Sequence, residues 1–336
     1  MPRIEYTKYN PKPESLEIIG HADEILQEYA AQGFDATLRM LYYQFISRDL
    51  FPASYENAVG IKNTIQSYNK LKSIISAARE GGLLDWDHLS DRGRSSESRP
   101  HWENHQEFIR VVAPQFNIDI WEDQPQRVEV WVEKDGLSSI VERACRPLDV
   151  PYTACKGYMS ASTIWDAARN RMLRNWNLYK QPTVVLHLGD HDPSGIDMTR
   201  DITERLRLFS SQTIPDLLER NGQPQIAVQR IALTMDQIRE YNPPPNPAKE
   251  TDSRFADYQA IHGDESWELD SLTPQVIVNL ITEQITLHMH QPRYKRRRKL
   301  ESDQRTQLIR IPNNWTAIQE LLETATDDDA TDEGEE

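Results

Sequence analysis

Apolar positions follow helical spacing in the first part of this chain and strand spacing in its middle. Between Ser15 and Gln32, the residues Ile18, Ile19, Ala22, Ile25, Leu26 and Tyr29 fall on one helical face, and Gly33 ends the pattern. Thr37 is placed to cap a second helix, LRMLYYQFISRD. Ser67 to Glu80 predicts a third, with Leu71, Ile74, Ile75 and Ala78 turned inward and Gly81-Gly82 as the stop. Leu83 to Trp86 then reads as the start of a short hairpin. From Arg127 the period changes to two: Val128, Val130 and Val132 alternate with Glu129 and Trp131, which predicts a strand. Strand, helix, strand, helix, strand, helix follows: Leu137–Ala144, Tyr152–Ala154, Thr163–Trp176, Val184–Leu188 and Ile196–Leu208. That alternation predicts a parallel sheet in an α/β fold. Beyond it the expected elements are a short helix from Pro215 to Glu219, a strand from Ala227 to Leu233, a helix from Met235 to Tyr241 and a helical region from Trp267 to His290. Trp102 to Arg110 predicts another helix, and Ile118 to Trp121 a strand.

Composition narrows the class. A length of 336 residues suggests two domains. No apolar run approaches the roughly 18 residues of a membrane span, and the N-terminus MPRIEYTKYNPKPE lacks a secretory apolar core. Cys145 and Cys155 are the only cysteines, so no disulfide framework is expected. A cytoplasmic protein with no membrane partner is the expectation. Helix, turn, helix and terminal hairpin describe an N-terminal winged helix over 15–90, whose third helix carries Lys70, Lys72 and Arg79 for contact with DNA. The net charge of −15 opposes such a partner in sum, but ETATDDDATDEGEE at the C-terminus holds eight of the acids and no base. Ahead of it, RYKRRRK (Arg293 to Lys299) is either a phosphate grip or a solvated basic loop.

The chemistry is concentrated at strand ends. Glu133, Lys134 and Asp135 follow the first strand, and Asp190 and Asp192 follow the third, in GDHDPSG. In an open α/β sheet, ligands bind at the carboxyl ends of strands. Carboxylates crowded there repel one another unless a hard cation such as Mg²⁺ lies between them. The alternative for Asp190 and Asp192 is a turn that caps the next helix. With no P-loop phrase there is no ATP site of that kind, and no His/Cys cluster has zinc spacing.

An acid on one strand and a DxD two strands on resembles a Toprim domain, the metal-binding module of topoisomerases, primases and some nucleases. VEKDGL, KGYMSAS and GDHDPSG are together similar to phrases of the topoisomerase VI A subunit, a family that includes the meiotic double-strand-break protein. LRMLYYQF resembles that family's tyrosine phrase. The resemblance implies Glu133, Asp190 and Asp192 as ligands of one or two Mg²⁺ ions. It implies Tyr43 as the DNA-cleaving nucleophile, Arg39 as the arginine preceding it, and Lys134 and Lys156 as further DNA contacts. Tyr42 is expected in the core, and the alternative for Tyr43 is a core residue on the same amphipathic helix. Glu268 and Asp270 resemble a late acidic phrase of the family; they either shape the metal site or pair structurally with Lys249 and Arg254, and the pairing is the expected role. The implied organisation is an extended segment 1–14, a winged helix 15–90, a linker 91–117 bearing Arg92, Arg94 and Arg99, a Toprim domain 118–315 and an acidic tail 316–336. The implied partners are double-stranded DNA and a second copy of the chain whose metal site works with this chain's tyrosine; strand passage would need a separate ATPase B-type subunit, whereas the chain resembles more a compact stand-alone relative of the A subunit that cuts DNA without that partner or with a different one. The competing functions are a Toprim nuclease that hydrolyses DNA without the tyrosine and a DNA-binding protein with a relict site.

Overall fold

The computed structural model describes residues 3–89, 99–211, 219–220, 223–224 and 226–321. Arg92, Arg94, the helix expected from Pro215 and most of the acidic tail lie outside them.

Three helices open the chain: α1 (Pro13–Ala31), α2 (Leu38–Ser47) and α3 (Ile65–Glu80). The inward face of α1 is the one its spacing predicts, with Ile18, Ile19, Ala22, Ile25, Leu26 and Tyr29 all buried. Thr37 caps α2 by accepting the Met40 N–H, and Thr64 caps α3 by accepting the Ser67 N–H. Tyr42 is core, as expected: its hydroxyl donates to Asn63 Oδ1 at 3.0 Å, and its ring meets Tyr43, Phe51 and Tyr68. The hairpin expected after α3 is replaced by turns with isolated bridges, Glu5 to Gly81 and Ala36 to Leu89. Arg79 lies over the Trp86 ring in that segment and donates to the Trp86 carbonyl.

The sheet is four-stranded and parallel, in the order β2 (Tyr152–Ala154), β1 (Arg127–Val132), β3 (Thr183–Leu188), β6 (Ile226–Ala232). Two-residue ladders pair β4 (Glu219–Arg220) with β5 (Gln223–Pro224), and β7 (Asn246–Pro247) with β8 (Glu265–Ser266). From β1 the chain crosses to β2 on one side and then to β3 on the other. The β1/β3 junction is therefore a topological switch point, where the crossovers part and leave a crevice at the carboxyl ends. Helices α6 (Ala161–Asp166), α7 (Leu173–Tyr179) and α8 (Pro193–Ser211) belong to one face, with a π-helical turn (Ala167–Met172) joining the first two. Trp131, Val185, Ile164, Met172, Ile202 and Leu206 form the core there. Helices α5 (Ser138–Cys145) and α11 (Pro274–Leu287) pack together and against the sheet. The short helices α9 (Met235–Tyr241) and α10 (Phe255–His262) follow β6.

Covering both faces changes how β1 is read. The alternation of Val128, Val130 and Val132 with Glu129 and Trp131 suggests one wet face, yet Glu129 and Trp131 are buried too. Glu129 accepts the Trp131 indole N–H at 3.0 Å and two bonds from Arg171, at 2.9 and 3.2 Å. A buried acid is tolerated where such partners satisfy it.

A second compact unit joins residues 95–125 to 289–336, and the first unit comprises 1–94 and 126–288. This departs from the expected division into a linker 91–117 and a domain 118–315. The described part of the expected linker carries α4 (His105–Val112), which belongs with α12 (Gln291–Arg310), and 118–121 is irregular chain running into a turn rather than a strand. The basic run RYKRRRK is helix α12 rather than a loop. Arg297 pairs with Glu122 and Arg296 with Asp123. Glu301, only 2% exposed, takes Arg298 at 3.1 Å, Arg305 at 2.6 Å and the Ile118 N–H at 3.2 Å. Removing one member of a buried pair is costly, discounted here because both arginines keep some solvent. Glu301→Ala is therefore expected to destabilise this unit by roughly 2–3 kcal/mol. Hydrogen exchange across α12 would report it; an unchanged rate would mean the ion pairs are solvated equivalents. No helix among the described residues is long and apolar enough to cross a membrane.

Candidate metal centre and its cleft

The carboxyl ends of β1 and β3 deliver Glu133 and Asp190 side by side: Glu133 N–H donates to Leu188 O, and Asp190 N–H donates to Glu133 Oε2 at 2.9 Å. The DHDPSG turn is shaped by its glycine. A Cβ on Gly195 would collide with the Asp190 carbonyl oxygen, so the backbone can close only without a side chain there. Asp192 accepts the Gly195 N–H at 2.6 Å and the Ser194 hydroxyl at 3.0 Å. It thus caps α8, the alternative that the sequence left open. His191, within the same turn, is buried, with Nδ1 3.0 Å from the Tyr258 hydroxyl and its ring against His262 and Trp267.

Among the described residues, the acids that gather closely enough to hold a metal ion are Asp190, Glu268 and Asp270, whose oxygens lie within 4.8 Å of one another. Of the expected trio, Glu133 is adjacent through its bond to Asp190 and Asp192 is engaged as a helix cap. Glu268 and Asp270 arrive from the turn between β8 and α11, where the 3₁₀ turn Leu269–Ser271 follows β8. The Leu269 N–H donates to Asp190 Oδ1 at 2.8 Å and locks that turn to β3. The expected pairing of these two acids with Lys249 and Arg254 is not what forms. Arg254 pairs with Asp197 and Asp252, while Glu268 and Asp270 pair with Arg39 and Lys134.

Lys134, expected to contact DNA, is placed among these acids. Its Nζ stands 2.9 Å from Asp190 Oδ2, 2.9 Å from Asp270 Oδ1 and 2.5 Å from Glu268 Oε2. Burial works against its charge, but the three carboxylates prevail and hold the ammonium well above the ordinary lysine pKa. Arg39 on α2 reaches Glu268 and, through Nε, Asp270 Oδ2 at 3.1 Å. From β6, Arg230 donates to the carbonyls of Gly189, Asp190 and Gly195 at 2.9, 2.5 and 2.8 Å. Its only sequence signal is a guanidinium within an otherwise strand-like VQRIAL. Five carboxylates face three cations, which leaves two formal negative charges. Oxygen donors with that deficit fit a hard divalent ion. Asp190 is pushed up to about 7 by burial and by repulsion from Glu133, Asp270 and Glu268, against the pull of Lys134.

A cleft of about 690 Å³ opens beside the centre. Arg39, Lys72, Arg79, Lys134 and Lys156 line it together with Glu133, Asp135 and Asp270. Four of the five residues expected to contact DNA thus meet at one opening. Lys70 does not; its ammonium lies over the Tyr55 ring and donates to the Ser54 carbonyl. Lys156 is two-thirds exposed, with Nζ 3.3 Å from Asp135 Oδ2.

Tyr43 lies on α2 one turn after Arg39, which sits 5.9 Å from its ring centre. It is 4% exposed, and its hydroxyl accepts from Asn246 Nδ2 at 3.4 Å. Burial, Glu268 and Asp270 raise its pKa far above the ordinary phenol value, against Arg39 and Asn246. The resemblance implies that the tyrosine works against a partner's acids; within one chain, α2 already meets the chain's own.

Beneath the centre, His187 on β3 is fully buried, with Nδ1 2.9 Å from the Thr199 hydroxyl. Burial, aided by Arg230, pushes its pKa down to about 3. The unfolded chain takes this proton near pH 6.5 and the folded chain refuses it, so stability is complete above about 6.5 and is lost as pH falls toward 3. His187→Gln is expected to spare roughly 2 kcal/mol of the loss between pH 7 and pH 5. Urea unfolding of both proteins at the two pH values checks it, and equal losses would refute it. In comparison with known proteins, no family model and no curated protein matches this chain.

Proposed function

We propose that this chain is a metal-dependent DNA-cleaving protein built on the plan of the topoisomerase VI A subunit, with a winged-helix-like N-terminal part and a Toprim-like sheet. The observation that carries this reading is that α2, bearing Arg39 and Tyr43, is docked on the acid trio Asp190, Glu268 and Asp270 beside a basic cleft. Lys72, Arg79 and Lys156 would seat DNA phosphates at the rim. Asp190, Glu268 and Asp270, with Glu133 adjacent, would hold Mg²⁺. Bound there, the ion would neutralise the scissile phosphate and stabilise charge in the transition state. Tyr43 Oη would form a bond to phosphorus while the sugar oxygen leaves and receives a proton, giving a tyrosyl–DNA link. Two chains acting across a groove would give a double-strand break, and strand passage would call for a separate ATPase subunit.

One observation favours a second reading, a hydrolytic Toprim nuclease: the Tyr43 hydroxyl is buried against Asn246. Supercoiled plasmid with Mg²⁺, quenched with detergent and then treated with protease, separates the two. Protein-bound linear DNA that requires Tyr43 supports the first. Free ends from Tyr43→Phe protein establish the second. Binding without cleavage under all conditions would refute both.

A further inference from the structure

The acid trio already has a cation, and it comes from the chain. Lys134 Nζ touches one oxygen of each of Asp190, Glu268 and Asp270, at 2.9, 2.5 and 2.9 Å. A metal ion bound to the same three oxygens would need the same space, since Mg²⁺ sits about 2.0–2.1 Å from its ligands. Lys134 and a metal at this point are therefore mutually exclusive. The lysine also has somewhere to go. Its backbone is fixed at the end of β1, where Glu133 N–H bonds Leu188 O, but its side chain lines the cleft and is 18% exposed. A rotation of the flexible stem would carry the ammonium from the acids into the cleft that Lys72, Arg79 and Lys156 also line.

We propose that Lys134 is an exchangeable internal cation: it holds the acid trio together in the metal-free protein, yields its place to a divalent ion, and then presents its ammonium to a phosphate in the cleft. This rests on the metal-dependent reading above and adds a coupling that the reading alone lacks. With the trio metal-free, Lys134 is bound to carboxylates and cannot serve a phosphate. With the trio loaded, one more cation faces the cleft. Metal and phosphate then favour each other's binding, and by linkage the coupling is the same in both directions. In this role Lys134 is a positioning residue for the metal and a binding residue for the substrate.

The test uses the full chain, with Mn²⁺ and Mg²⁺ as probes and no DNA. Calorimetric Mn²⁺ titration should show at least tenfold tighter binding for Lys134→Met than for the wild type, because the internal competitor is gone. Lys134→Arg, which keeps a cation there, should show no such gain. In the wild type, acetylation of Lys134 read by peptide mass spectrometry should rise several-fold on saturation with Mg²⁺, with Lys62, paired to Asp49 rather than to the trio, as the unchanged reference. The footprint does not depend on Lys134→Met folding. Equal or weaker Mn²⁺ binding by folded Lys134→Met would overturn the proposal, as would Lys134 acetylation indifferent to Mg²⁺ or a failure of the wild type to bind either ion. Exchange in a protein that never cuts DNA would leave the proposal standing and remove the cleavage reading.

Discussion

In Asp190→Asn protein, Mg²⁺-dependent DNA cleavage is expected to fall by roughly 10²–10³-fold, the scale of losing one preorganised electrostatic group. Asp190 joins every part of the centre. It shares the trio with Glu268 and Asp270, its backbone N–H bonds Glu133, and its Oδ1 accepts the Leu269 N–H at 2.8 Å. Asparagine can keep the Leu269 bond while removing the charge. The fold should tolerate this. The folded-state pKa of Asp190 is raised to about 7, so its ionisation costs stability as pH rises from the ordinary carboxyl value through 7. A neutral side chain avoids that cost. The expected pattern is a melting temperature within a few degrees of wild type, weakened Mn²⁺ binding and cleavage close to background. Normal cleavage by a folded Asp190→Asn protein would remove the trio from the mechanism, whichever nucleophile acts.

Tyr43→Phe is expected to eliminate protein-linked DNA ends, by at least about 10³-fold, because the attacking oxygen itself is gone. The fold should hardly register the change. The hydroxyl receives one long bond, 3.4 Å from Asn246, whose loss costs at most about 1 kcal/mol. Activity and stability therefore separate cleanly in this variant. On the tyrosine-nucleophile proposal, the 4% exposure of Tyr43 and its contact with Asn246 require the hydroxyl to be uncovered before it can attack. Asn246→Ala is then expected to leave link formation intact or to speed it. Cleavage that persists undiminished in Tyr43→Phe, with free ends, would assign the attack to water and leave Tyr43 as a core residue.

Much of the architecture is written in local patterns. The apolar face of α1, the Thr37 cap of α2 and the buried β3 each depend on residues within a few positions of one another, and all three formed as read. Placement of Glu133 and Asp190 at one edge of a parallel sheet also followed from pattern, because strands joined by helices bring their carboxyl ends to one edge, whereas the adjacency of β1 and β3 came only with the strand order. The hairpin expected at Leu83 and the strand at Ile118 failed for the opposite reason: short runs of four residues have no period long enough to outweigh tertiary context.

Partnership among charged groups was decided by the tertiary structure. Lys134 follows Glu133 in the chain, and nothing local turns its ammonium toward Glu268 and Asp270, more than 130 residues away. The same holds for Arg39 reaching those acids and for Arg230 holding the DHDPSG turn from another strand. It holds as well for Asp192, which bonds the start of α8 while Asp270 completes the trio. Sequence alone determined that a parallel sheet would carry acids at its carboxyl edge, since hydrophobic period and turn residues act over short range. Which acids would meet, and which cations would neutralise them, depended on the folded chain, because Coulomb and hydrogen-bond partners are chosen by distance in space rather than along the sequence.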